Sequence, residues 1–151
     1  MGDQLEKLVY RFFFAFSRLE FALKESGYYR KDRFGGSEPN WQQFQKKYEK
    51  SYLADDSVRE LFKNPPRKQI VNSRNNLDWE DLKFGSKDSE LRKAISVVKT
   101  VRNNLFHGGK HGDKSWDDPK RVRFFLKRSI TCLDCFSKLD ASVQAHYRNE
   151  Y

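Results

Sequence analysis

The sequence predicts an all-α fold, an antiparallel bundle of four main helices with an irregular mid-chain excursion. Three observations predict it. Apolar residues recur at steps of three and four over long stretches, the helix-ending glycines and helix-opening aspartates bracket those stretches, and no lasting strand alternation appears. At 151 residues the chain reads as one domain, 1–151, long enough for a single core. Hydrophobic residues are 37% of the chain, yet 13 are phenylalanines, bulky rings that fill an interior with few positions.

The first helix is predicted over about residues 3–26, from Leu5, Leu8, Phe12, Phe16, Leu19 and Leu23, with Gly27 as its stop. Phe13, Phe14 and Phe21 widen its apolar surface beyond one stripe, as in a helix that is central or shared with a second subunit. "RKDRFGGSEPN" reads as a loop. "WQQFQKKYEKSYL" predicts a second, more polar helix on Trp41, Phe44, Tyr48 and Tyr52, and "DSVRELF" a shorter one ended by Pro65-Pro66. "RKQIVNSRNNLDWEDLKFGS" is the excursion, with one short extended piece at Gln69–Val71. The next helix is capped by Asp88 and turns inward Leu91, Ile95, Val98, Val101 or Arg102, and Leu105; Gly108-Gly109 stop it. The last opens with Asp118 as cap and Pro119 in its first turn, and carries Val122, Leu126, Ile130, Leu133 and Phe136 on one side.

Charge narrows the class of partner. Thirty Lys+Arg against 21 Asp+Glu leave a net charge of +9, which favours a polyanion, and nucleic acid first. The opening residues do not read as a signal peptide, since acidic residues precede the apolar run and no small-residue cleavage site follows. Residue 6 is Glu, so the myristoylation pattern fails, and no apolar stretch approaches the roughly 18 residues of a membrane span. With two cysteines and no export signal, a cytoplasmic protein with no membrane partner is expected.

The stretch "VRNNLFHGGKHG" carries the chemistry. On a continuous helix Arg102 and His107 would diverge by about 140°. The chain must break at Gly108, where the backbone can turn the imidazole of His107 back toward Arg102. Imidazole serves as general base toward a ribose 2′-OH or as general acid toward the leaving oxygen. A guanidinium holds the phosphate and steadies its developing charge. Asn103 or Asn104 adds a hydrogen bond, and the scheme requires no cofactor and no metal. An Arg–His pair at this spacing is also what a structural ion pair beside a carbonyl-capping histidine would show.

"RNNLFH" resembles the R-x(4–6)-H signature of HEPN-domain ribonucleases, whose residue after the arginine is often polar, as Asn103 is. "FSRLEFALKESGY" looks like the first helix of a HEPN subgroup, whereas residues 30–85 match no family pattern. The resemblance implies a HEPN-type bundle, metal-independent RNA cleavage leaving 2′,3′-cyclic phosphate ends, and catalysis by Arg102, Asn103 and His107. It implies a homodimer with two motifs at one cleft, and the setting of a toxin with an antitoxin or other regulatory protein, or of phage defence. One branch carries a tyrosine two residues after the histidine as a nucleotidylation target; Gly109 stands there, which argues against that control. Some members only bind, so the alternative is a non-catalytic HEPN-like module for RNA, nucleotide or an acidic protein partner.

Further residues complete the expected site. Lys110, His111, Lys114, Lys120, Arg121 and Arg123 form a positive cluster for the RNA backbone if the last two helices are antiparallel neighbours. Lys127 and Arg128 extend that cluster along the last helix. Glu20 either orients Arg102 or His107 or is a solvated rim carboxylate. Cys132 and Cys135 with His107 and His111 have the ligand types of a zinc site, but the cysteines sit mid-helix beside Leu133, as small buried thiols do. Trp41, Trp79 and Trp116 are read as packing or rim residues before base-stacking ones.

Overall fold

The computed structural model describes residues 2–107 and 118–149. It is mainly helical. Among the described residues, helices α1 (Asp3–Glu25), α2 (Trp41–Tyr48), α3 (Asp56–Lys63), α4 (Glu90–Phe106), α5 (Pro119–Ser137) and α6 (Ala141–Arg148) accompany two antiparallel hairpins. The first hairpin pairs β1 (Tyr29–Lys31) with β2 (Ser37–Pro39), the second β3 (Arg67–Val71) with β4 (Leu77–Asp81).

The helix ends follow local side-chain chemistry. Asn40, Asp55, Ser89, Asp118 and Asp140 each accept a hydrogen bond from a backbone N–H in the first turn of the helix they precede. The cap of α4 is therefore Ser89 rather than Asp88, whose carboxylate instead accepts from the Gly85 N–H at 2.7 Å. Gly27 ends α1 in the left-handed region, φ 92°, where a Cβ would be strained.

Three expectations are corrected by tertiary context. The expected loop at 30–40 forms a hairpin, turned by Gly35 at φ 87°, with Asp32 accepting from the Phe34 and Gly36 N–H groups. The excursion at 67–81 holds the expected extended piece at Gln69–Val71, but within a hairpin and not irregular chain, with Gln69 opposite Trp79 and Ile70 opposite Asp78. The expected second helix stops at Tyr48, although Tyr52 still reaches the core. A last helix, α6, follows Asp140 and was not expected.

The core is built on α1, α4 and α5. Phe12, Leu19 and Leu23 of α1 meet Leu91, Val98 and Val101 of α4 and Phe125, Leu126 and Leu133 of α5 in one buried cluster. Val101 takes the inward place on α4, leaving Arg102 half-buried at its edge. Phe12 and Phe16 are buried in the chain's own core, so the apolar face left on α1 is narrower than its sequence suggests.

Two polar ties fix the periphery. Arg18, buried in α1, donates to the carbonyls of His146 and Asn149 at the end of α6 and lies over the Phe21 ring. Asp140 accepts from the hydroxyls of Tyr28 at 2.7 Å and Tyr48 at 2.5 Å while capping α6. α6 is thereby bound to α1, α2 and the start of the first hairpin.

Candidate functional site

The C-terminal end of α4 carries Arg102 within the helix and His107 as its C-cap, and opens two hollows on different sides. One, about 530 Å³, is lined by Tyr10, Phe13, Phe14 and Phe16 of α1, Ser17 and Glu20 above them, and Arg102 and Phe106 of α4. The Arg102 guanidinium lies over the Phe16 ring at 5.2 Å, and its buried Nε has no hydrogen-bond partner among the described residues. Among the described residues no carboxylate pairs with Arg102, and an unneutralised guanidinium lining an open hollow is the feature an anionic group would satisfy.

The second hollow, about 330 Å³, is lined by Lys68 and Gln69 of β3 and by Thr100, Asn103, Asn104 and His107 of α4. His107 ends α4 as its C-cap, with φ −93° and its backbone N–H on the Asn103 carbonyl at 3.0 Å. The backbone therefore finishes the helix at His107 without swinging the imidazole to the Arg102 side. Phe106 stands between, lining the Arg102 hollow while meeting the His107 ring edge-on at 5.3 Å. Within one chain Arg102 and His107 are not brought into one hollow.

The two asparagines divide their work. Asn103 is exposed and lines the His107 hollow. Asn104 is buried, and its amide donates to the Arg67 carbonyl at 2.8 Å, pinning the second hairpin to α4. That bond places Lys68 beside His107, where Glu80 holds the ammonium at 3.1 Å. The expected extended piece at Gln69–Val71 falls within β3, but neither Lys68 nor Gln69 is marked as a site residue by helix periodicity. Two apolar-containing runs flanking the turn-forming "NSRNN" were the signal that could have found them.

Glu20 lies on the Arg102 side and has a defined partner. Its carboxylate accepts from the Trp41 indole N–H at 2.8 Å, and among the described residues it forms no ion pair with Arg102. Lys99 extends this group, with its ammonium over the Trp41 ring at 5.3 Å. Burial pulls Lys99 below the ordinary lysine range, with Glu20 opposing that shift and Arg102 adding to it. Trp41 is itself buried, so its task is packing and orienting Glu20.

The expected cation cluster separates into distinct faces. Lys110, His111 and Lys114 lie outside the described residues, as does Trp116. Lys120 is exposed in the first turn of α5. Arg121 is engaged by the protein: it donates to the Asn64 carbonyl at the end of α3 at 2.5 Å and lies 4.3 Å over the Phe125 ring. Arg128 is likewise turned toward α3, 3.4 Å from Glu60. Arg123 instead faces α1, beside Lys7, Arg11 and Lys127.

The zinc ligand types do not assemble among the described residues: no three His, Cys, Asp or Glu side chains there are arranged to hold a metal ion. Cys132 is buried within α5, and burial pushes its thiol far above the ordinary range; His111 lies outside the described residues. No helix among the described residues is long and apolar enough to cross a membrane. Comparison with protein-family models, curated proteins and solved structures finds no match to this chain.

Proposed function

We propose that the protein is a metal-independent RNA endonuclease of HEPN type, a single domain acting in the cytoplasm, in which His107 moves protons and Arg102 holds the phosphate. The observation that carries this reading is the Arg102 guanidinium lining an open hollow with no ion-pair partner among the described residues, five residues before an exposed histidine that ends the same helix. In this reading the helical frame is the antiparallel bundle of a HEPN domain. His107 takes the 2′-OH proton, the alkoxide attacks phosphorus, and a second acid protonates the leaving 5′ oxygen, giving a 2′,3′-cyclic phosphate. Asn103, exposed beside His107, orients the strand.

A homodimer completes the site. One histidine supplies one proton-transfer group, and two copies about a two-fold axis supply a base and an acid on opposite sides of phosphorus. The separation of the Arg102 and His107 hollows within one chain supports a cleft shared between chains. So does the aromatic face around Arg102, where Tyr10 is 69% exposed, Phe14 50% and Phe106 70%. An antitoxin or other regulatory protein would act by covering that cleft.

The test is cleavage of bulk cellular RNA by purified protein, wild type against His107→Ala, in excess EDTA. Cleavage is expected to survive EDTA and to fall about 10²–10⁴-fold in the variant, the usual range for a positioned general acid–base. Cleavage abolished by EDTA, or full activity in the variant, refutes the reading. A second reading, a module that binds RNA, nucleotide or an acidic partner without cutting, is favoured by the packing of Arg102 on Phe16. RNA binding with no cleavage at any concentration selects it.

A further inference from the structure

Away from α4, the first turns of α1 and the opening turns of α5 enclose a third hollow of about 210 Å³. It is lined by Gln4, Lys7, Leu8 and Arg11 on one side and by Arg123 and Lys127 on the other. Each helix contributes two cations at i and i+4, a rise of about 6 Å along each axis. Like charges at that spacing repel, and the two rows also face each other.

Little compensates these charges. Lys7 has Asp3 at 3.0 Å, a pair in which both side chains are largely exposed and which water screens. Arg11, Arg123 and Lys127 have no ion-pair partner among the described residues. Elsewhere on the molecule the arginines of α5 are neutralised or engaged, Arg128 by Glu60 and Arg121 by the Asn64 carbonyl. The contrast lies within one helix: the face of α5 toward α3 is paired, and the face toward α1 is left charged.

We propose that Lys7, Arg11, Arg123 and Lys127 form a track that binds the phosphate backbone of a single RNA strand. The proposal rests on the RNA reading above for the identity of the polyanion. A protein partner needs buried aromatic or apolar anchors, and Leu8 alone is apolar in this groove. A phosphodiester chain needs only successive cations, and the i to i+4 rise is on the scale of its repeat. Tyr10 follows Lys7 by three residues and lines the Arg102 hollow, so a strand in the track runs on toward α4.

The track is tested in the full-length His107→Ala protein, so that binding is read without cleavage, using anisotropy of a fluorescein-labelled single-stranded oligoribonucleotide over a salt series. Each neutralised phosphate contact lowers the log–log salt slope by about 0.7 for a single strand. Arg11→Gln with Arg123→Gln is expected to reduce the slope by about 1.4, and neutralising all four cations by about 2.8. A control pair on the exposed segment after the second hairpin, Lys83→Gln with Lys87→Gln, is expected to leave it unchanged. All four positions are on the helix surface, and circular dichroism with thermal unfolding verifies that each variant folds. An unchanged slope in the quadruple variant overturns the track, as does failure of the parent protein to bind RNA. Polyglutamate competing as strongly as RNA for these residues overturns it in favour of an acidic polypeptide. Wild-type cleavage is measured separately. Track-dependent binding without cleavage keeps this proposal and removes the nuclease; cleavage with track-independent binding does the reverse.

Discussion

Asn104 makes the position of the second hairpin testable in energetic terms. The residue is 4% exposed, and its amide is the donor to the Arg67 carbonyl at 2.8 Å. A neutral hydrogen bond of this kind contributes about 0.5–1.5 kcal/mol net, and a buried acceptor left without a partner costs about 1–3 kcal/mol. Asn104→Ala is therefore expected to loosen the hairpin by about 2 kcal/mol, and Asn104→Leu, which restores volume but not the donor, by a similar amount. Because β3 packs against α4, the loss falls on local opening of the hairpin before global unfolding. Hydrogen exchange read residue by residue is the assay. Two kcal/mol corresponds to roughly 30-fold faster exchange of the β3–β4 amides, with the α1 and α5 core amides much less affected. Exchange in the hairpin within threefold of wild type in both variants would refute the claim that this bond fixes Lys68 beside His107.

Other expectations follow from the same contacts. Burial works to raise the Asp140 carboxyl, but hydrogen bonds from Tyr48, Tyr28, Val143 and Ser142 outweigh it and hold it below the ordinary range. Its stabilisation is thus complete above the ordinary carboxylate pKa of about 3.9 and is lost as pH falls through its own lower value. In urea titrations, Asp140→Ala is expected to cost about 3 kcal/mol at pH 7 and progressively less in strong acid; a pH-independent difference contradicts this. Arg121→Ala is expected to lower stability by about 1–2 kcal/mol, through the lost Asn64 carbonyl and Phe125 contacts, while leaving the salt slope of RNA binding unchanged. Phe14→Ser with Phe106→Ser should weaken self-association at least 100-fold by light scattering, since burying each ring is worth about 1.5–3 kcal/mol. A double variant that remains dimeric at the same concentration rules this face out.

The parts of the molecule legible in the sequence are those governed by local periodicity and capping. α1 lies within a residue of its expected span, and Asp118 with Pro119 opens α5 as its sequence implies. Of the hairpins only the extended piece at Gln69–Val71 is legible, because the strands are three to five residues long and are ordered by Asp32 within one turn and by Asn104 from across the chain in the other. α6 was missed for a related reason: it is eight residues long and held by Arg18 and Asp140, contacts spanning more than a hundred residues of sequence to α1 and Tyr28. At the site, the residue types were visible but their division was not. Only the three-dimensional arrangement separates exposed Asn103 from structural Asn104, and Arg123 in an open groove from Arg121 engaged at the end of α3. Nor could the sequence show that Phe106 would part Arg102 from His107.

The central claim is that two copies of His107 serve one cleft, and subunit mixing tests it most directly. Wild-type and His107→Ala chains are combined one to one under conditions of subunit exchange, and RNA cleavage is measured in EDTA. If each cut needs a base from one chain and an acid from the other, only dimers of two wild-type chains are active. Random pairing then leaves about a quarter of the activity of the same total amount of wild-type protein. Activity of about one half would mean that each chain cuts alone, and would contradict the shared site.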